Sequence, residues 1–509
     1  MEHHQAGRLG EAERLYRRIL QLNPHHADSL HLLGMVAFQT GNCDAAAELI
    51  SRAILQNGED AMYLSNLGNV LQTQGRLEVA VDCYQRAIEL NPASAAAHGN
   101  LGLALQFLGR LEDAARSFEE ALKLDPGIAV AHTNLGNVRQ AQGRLEEAAA
   151  CHEWALAVEP ANPEAYSNLG GVLDLQGRLK ESMAAYDRAL ELGRDFPVAL
   201  FNRSLLWLRK GDFVLGLPDY EHRWHLNKRR DFGEPQWYGQ PLKGAKILLY
   251  PEQGLGDTVQ FLRYVSMVQA VGGQVILEVQ PQIRRLAEHL PDVAQIICVG
   301  ETLPPFDWHC PLMSLPLAFS TTLNTIPARV PYLTIPQEVD AMRVLPGEGR
   351  GLRVGIVWAG SPGHLRDRFR SIPLELLKPL FALEGAQFYS LQLGPAAEEL
   401  KEAGAPAGVI ELAPEIEDMA DTAALIAHLD LVITVDTAVA HLAGALGKPV
   451  WVVLPLVPDW RWLLDREDSP WYPTMRLFRQ AKLSDWDSVV EAVRCALLNK
   501  IANSLPSRS

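Results

Sequence analysis

Residues 250 to 265 read YPEQGLGDTVQFLRYV, and Asp257 in this run can do two kinds of chemistry. At a helix start a carboxylate accepts backbone N–H bonds, and Asp257-Thr258-Val259-Gln260 fits a capping box. At the lip of a cleft the same carboxylate can take a proton from a hydroxyl. Spacing leaves both readings open, since a cap position is also a cleft lip. Gly254 and Gly256 permit a tight strand-to-helix turn with close backbone approach. The run is not a phosphate loop of the Gly-Lys-Ser/Thr kind, and Val259 stands where a GxGxxG fingerprint needs its third glycine.

A second such turn lies near the other end. VITVD ends an apolar run and TAVAHLAGALG opens an amphipathic one. Exposed amides at Thr437 and Ala438, with the helix dipole, suit a diphosphate. His441 falls on the same helix face as Thr437; the competing reading is a core histidine bonded to a carbonyl. The loop WAGSPGHLRDRFRSIP carries Arg366, Arg368 and Arg370, which either neutralise phosphate or pair with Asp367 and nearby acids. Asp485-Trp486-Asp487 has the DxD form of a metal–nucleotide site but opens the terminal helix, where an N-cap is the simpler role. The His pairs 3-4 and 25-26 have no partners at metal spacing.

The elements that would hold these turns alternate. KILLY, QVILEV and QIICVG read as strands, separated by helical GLGDTVQFLRYVSMVQAVG and PQIRRLAEHL. That βαβαβ order implies a parallel sheet. A Pro-rich stretch, LPPFDWHCPLMSLPLAF, follows, and Pro327 to Gly351 reads as a linker. A second set, LRVGIVWAG, AQFYSLQLG, GVIEL, LDLVITVD and PVWVVLP, ends in the helix SDWDSVVEAVRCALLNK. Two Rossmann-like lobes, 243–335 and 350–500, would enclose a cleft at the carboxyl ends of their strands.

The first half, 1–230, has a different period. Glycines stand at 7, 41, 75, 109, 143, 177 and 211, each 34 apart, with Leu-Gly pairs at 33-34, 67-68, 101-102, 135-136 and 169-170. This is the tetratricopeptide pattern of an α-solenoid. Units begin near Ala27, Ala61, Ala95, Ala129 and Pro163, and a degenerate sixth begins near Pro197. Residues 1 to 26 are either a solenoid cap or the remainder of an earlier unit. Asn66, Asn100, Asn134, Asn168 and Asn202 occupy one column, a carboxamide ladder that can pair with a polypeptide backbone. The alternative is that each asparagine satisfies its own local backbone.

Bulk composition excludes some classes. The net charge is −15, with 61 acidic against 46 basic residues, so no basic footprint for nucleic acid exists. The six cysteines form no CxxC pair, which fits a reducing, cytoplasmic setting. The most apolar long stretch contains Asp436, His441 and Lys448, which argues against a transmembrane span.

GLGD after the first strand and VDTAVAHLAGALGKPVWVVL together resemble the heptosyltransferase family of GT-B glycosyltransferases, over roughly residues 245 to 500. The solenoid resembles the tetratricopeptide part of protein O-GlcNAc transferases. The resemblance implies a GT-B fold and inverting transfer from a nucleotide-sugar, with no cofactor and no metal. Asp257 maps to the family's acceptor-deprotonating aspartate, and Gly254 and Gly256 to its acceptor side. Ser361, Arg368, Arg370, Gln392, Asp436, Thr437, Ala438 and His441 fall on the donor side. Ala438 replaces the family's glycine, and Arg370 stands where it usually has lysine. A polypeptide acceptor recruited by the repeats is expected. The alternatives are an enzyme acting on a lipid-linked or surface glycan, and a non-catalytic tetratricopeptide scaffold.

Overall fold

The computed structural model describes residues 2–226, 228–291, 293–340, 345–346, 351–363, 367–402 and 409–504. Contacts divide the chain into two compact units, Met1–Phe196 and Pro197–Ser509.

The first unit is a helical solenoid. Its helix pairs include Ala27–Gln39 with Cys43–Gln56, Ala95–Phe107 with Leu111–Leu124, and Pro163–Leu175 with Leu179–Leu192. The 34-residue glycines close the first helix of each pair. Gly41 has φ 83°, a left-handed value that costs glycine least. Its N–H donates to the Phe38 carbonyl at 3.0 Å, and Asn42 N–H donates to Ala37 at 2.8 Å, which is a Schellman ending. The second glycine column is steric. A β-carbon on Gly34, Gly68, Gly102, Gly136 or Gly170 would lie 2.5–2.9 Å from Ile50, Tyr84, Phe118, His152 or Tyr186 respectively. The two helices of each pair therefore touch through a missing side chain.

The second unit begins with helices Pro197–Arg209 and Phe213–Tyr220. These are the degenerate sixth repeat, and their apolar face is used on the α/β region. Phe213 packs on Trp460 and Trp471, with ring centroids 5.9 and 6.1 Å apart, and Tyr220 packs on Trp460. That packing assigns the pair to this unit.

Two parallel sheets follow. The first has strands β1 (Lys246–Tyr250), β2 (Gln274–Val279), β3 (Gln295–Cys298) and β4 (Trp308–Pro311) in the order β3-β2-β1-β4. The second has β5 (Leu352–Val357), β6 (Ala386–Ser390), β7 (Val409–Glu411), β8 (Leu431–Val435), β9 (Val450–Leu454) and β10 (Met475–Arg479), in the order β10-β9-β8-β5-β6-β7. All pairings between these named strands are parallel, so the chain crosses over between them. Strands β8 and β9 are buried at every residue, as a sheet covered on both faces requires. Two strands escape the sequence reading. β4 lies inside the Pro-rich stretch, and β10, MRLFR, carries two arginines that break its apolar run. Among the described residues no helix is long and apolar enough to cross a membrane.

Candidate active site

The loop after β1 is tied down from two sides. Glu252 forms a bidentate ion pair with Arg223, at 2.9 and 2.8 Å, from the turn after the Phe213 helix. Arg223 also bonds Ser314 at 2.8 Å. Gln280, after β2, donates to the Gln253 carbonyl at 3.1 Å and accepts from Thr258 at 2.9 Å. The helix then starts earlier than the sequence suggests. It runs Leu255–Phe261, with Gly254 as its N-cap. Asp257 is therefore the third helical residue rather than the cap. Its Oδ2 reaches back to accept the Gly254 N–H at 2.9 Å, which is the N3 half of a capping box.

The other oxygen of Asp257 meets a residue of the second sheet's loops. Oδ1 accepts from Arg461 Nη2 at 2.5 Å. Arg461 lies in the short turn Trp460–Trp462, after β9. Its Nε donates to Gln260 Oε1 at 2.6 Å and its Nη1 to Asp459 Oδ1 at 2.8 Å. The side chain is 6% exposed and lies over the Phe261 and Trp460 rings. Burial disfavours its charge, but Asp459 and Asp257 outweigh that cost and raise its pKa. Burial would push Asp459 up, yet Arg461 prevails and its pKa falls.

The far wall is the start of helix Ala438–Ala445. Thr437 is its N-cap but does not cap it with its side chain; the hydroxyl instead meets Thr434 at 3.0 Å. The first-turn amides of Ala438 and Val439 are thus not capped by that side chain. Arg370 donates from Nη1 to the Asp436 carbonyl at 3.1 Å and from Nε to Asp367 at 3.1 Å. This links the loop after β5 to the turn after β8, the point where strand order reverses. Burial, with Asp459 nearby, pushes the Asp436 carboxyl up to about 6, against the pull of Trp462, Arg370 and Arg461.

The two walls touch. A β-carbon on Gly256 would lie 3.0 Å from His441 Cδ2 and 3.2 Å from Ala438 Cα. Gly256 thus packs closely against the start of the Ala438–Ala445 helix, where a side chain would crowd it. His441 is 4% exposed. Its ring stacks on Trp462 at 5.2 Å, and its Nδ1 bonds the Tyr472 hydroxyl at 3.0 Å, not a carbonyl. Burial, reinforced by Arg461, lowers its pKa to about 3 and keeps the ring neutral.

The remaining candidates divide. Gln392 is turned inward. Its Oε1 accepts from Trp358 and Ala359 N–H at 3.0 and 2.9 Å, and its Nε2 donates to the Ala359 and Leu393 carbonyls. All four of its hydrogen-bonding sites are spent on backbone, so it shapes the loops after β5 and β6 and is not offered to a ligand. Ser361 is exposed, and Arg368 is exposed beside Phe369. Arg366 lies outside the described residues. Asp485 accepts from Ser488 N–H at 3.2 Å, the cap expected of that DxD. In the solenoid, Asn66 bonds His31 at 2.9 Å and Asn100 bonds Asn69 at 2.9 Å, so these two rungs have partners within the repeats. Asn134 and Asn168 are half-buried in the same column, and Asn202 falls in the second unit. Arg461 and Asp459 were missed by sequence reasoning. Their signal was DWRW, set off from the apolar strand β9 by the Pro-bounded PLVP of residues 455–458.

Comparison with known proteins bears on both units. Residues 3–67, 65–129 and 133–197 match models of the tetratricopeptide repeat. Residues 391–453 match glycosyltransferase family 9 (heptosyltransferase), a span that includes Asp436, Thr437, Ala438 and His441 but not Asp257 or Arg461. Protein FlbA of Caulobacter vibrioides (strain ATCC 19089 / CIP 103742 / CB 15) is 30% identical over 335 residues, covering 60% of this chain. The chain spans 55% of that relative's length. Among solved structures, MamA is 26% identical with a TM-score of 0.30, covering 31% of this chain and 93% of its own. YrrB, titled a TPR protein with an unusual peptide-binding site, is 18% identical with a TM-score of 0.34, covering 37% and 98%. The chain thus carries tetratricopeptide repeats in its N-terminal region and a glycosyltransferase family 9 (heptosyltransferase) domain near its C-terminus.

Proposed function

We propose that this chain is an inverting, metal-independent glycosyltransferase of the GT-B type. It moves a sugar from a nucleotide-sugar to a polypeptide recruited by the repeats. The observation that carries the reading is the meeting of two helix starts. Asp257, beside Gly256 on one wall, is ion-paired to Arg461, and Gly256 abuts His441 and Ala438 on the other.

In this reading the donor diphosphate takes the amides of Ala438 and Val439, with Arg370 alongside. The nucleoside end enters a crevice of about 490 Å³ at the carboxyl ends of β6 and β7, lined by Leu393, Pro395, Lys401, Glu411 and Pro414. The acceptor hydroxyl gives its proton to Asp257. Its oxygen bonds the anomeric carbon from the face opposite the diphosphate. The carbon–oxygen bond to the diphosphate breaks, and the nucleoside diphosphate leaves with the electron pair. One displacement inverts the centre. Helix-end amides and arginine meet the charge that develops on the leaving group, in a cleft with little water. The carboxamides of Asn134 and Asn168 serve the polypeptide backbone. We place the reaction in the cytoplasm, where six unpaired thiols are stable.

The test is a thermal-shift screen of the purified chain against a panel of nucleotide sugars. A donor at one hundred times its Kd stabilises by about 2.7 kcal/mol. A clear shift with one nucleotide class is expected; no shift across the panel rejects the reading.

A further inference from the structure

The aspartate assigned as base is not poised to act as one. Its Oδ2 is committed to the Gly254 N–H, and its Oδ1 is clamped by Arg461 at 2.5 Å. A guanidinium at that distance stabilises the carboxylate and weakens it as a proton acceptor. Something must draw Arg461 away before a hydroxyl can be deprotonated.

We propose that the donor diphosphate does so, and that Arg461 exchanges Asp257 for phosphate. This rests on the transferase reading above. Three features of the site support it. Arg461 sits between the two chemistries. Its own turn places Trp462 on the His441 ring, one helical turn from the Ala438 amides, while its guanidinium holds Asp257. It also has a pivot. Asp459 accepts both the Arg461 backbone N–H, at 3.0 Å, and Nη1, at 2.8 Å, so Nη2 can change partner while the rest stays fixed. Finally, a second donor waits beside it. Gln260 is fully buried; its oxygen takes Arg461 Nε, and its Nε2 has no acceptor among the described residues.

The direction of exchange follows from charge. A diphosphate carries more negative charge than one carboxylate and offers oxygens spaced for the planar guanidinium fork. Donor binding then releases Asp257 Oδ1 from the Arg461 clamp, so that the carboxylate can take the acceptor proton. Without donor the base stays paired, and Arg461 bridges the lobes. The device orders the reaction, donor first.

Binding of UDP, GDP, ADP and CDP to the full chain, measured by calorimetry, tests this without any activity assay. In wild type Asp257 competes with the diphosphate for Arg461. D257N should therefore bind the preferred diphosphate about tenfold more tightly, and R461Q at least about tenfold more weakly, than wild type. In the D257N/R461Q double variant the gain from D257N should vanish, because no guanidinium remains to be released. D257S, which also removes the charge but can still accept the Gly254 N–H, should behave as D257N and covers the case in which D257N misfolds. Unchanged or weaker binding in both Asp257 variants overturns the exchange while leaving the transferase reading intact. Absence of diphosphate binding in wild type overturns both.

Discussion

Gly256→Ala inserts one methyl group where the Leu255–Phe261 helix meets the start of the Ala438–Ala445 helix. Its β-carbon would lie 3.0 Å from His441 Cδ2 and 3.2 Å from Ala438 Cα. Neither neighbour can yield easily. The His441 ring is stacked on Trp462 and bonded to Tyr472, and the second contact is backbone. Relief must come from the two helix starts parting by a few tenths of an ångström. Overpacking of this kind costs about 1–2 kcal/mol, which lowers Tm by about 2–6 °C in a unit of this size. It also shifts Asp257 relative to the donor amides, and a small misplacement of reacting groups can cost about tenfold in rate. Gly254→Ala is the internal control. Gly254 is exposed with φ −71° and ψ 171°, and its nearest new contact would be Asp257 Oδ2 at 3.4 Å. Its loss should stay below about 1 kcal/mol. Differential scanning fluorimetry and donor-consumption rates on both variants decide the matter. Equal behaviour of the two alanine variants would refute the contact between these walls.

Two further expectations concern the solenoid. His152 occupies the column held elsewhere by Tyr84, Phe118 and Tyr186, and both its ring nitrogens are buried without a partner among the described residues. Burial lowers its pKa to about 4, so its contribution is present above about pH 6.5 and is lost as pH falls toward 4. His152→Phe should stabilise the repeats by about 1–2 kcal/mol at neutral pH and reduce the acid loss, read by circular dichroism melts at pH 7 and 5; a lower Tm at both would contradict the buried-imidazole argument. The double variant Asn134→Ala/Asn168→Ala should weaken binding of a reduced, unfolded polypeptide about tenfold by removing two backbone pairings while moving Tm little; unaltered affinity would remove the ladder from the acceptor role.

Much of the architecture was legible because it is periodic. The turn glycines and the steric glycines each recur every 34 residues, for two different physical reasons that leave the same spacing. Strands β1, β2, β5, β8 and β9 announce themselves as apolar runs, because a parallel sheet buries both faces. β4 carries no such signal; it is the four residues Trp308–Pro311 and ends in proline. The sequence reading set the two turns at one cleft but held no sign of the ion pair between Asp257 and Arg461. Of the two readings left open for Asp257, the cap reading set the helix start three residues late: Gly254 is the N-cap and Asp257 the third helical residue. Gln392 had the right chemistry for a ligand, and only tertiary structure reveals that backbone consumes it. Arg461 lies 204 residues from Asp257, and nothing in a linear pattern joins them.

The most direct measurement is transfer of labelled sugar, from the donor found by the binding screen, into polypeptide of a cell extract by wild type and D257N. Loss of a general base costs about 10²- to 10⁴-fold. The account requires D257N to fold and hold donor at least as well as wild type, yet to fall in rate by that margin. Transfer by D257N at the wild-type rate would contradict it.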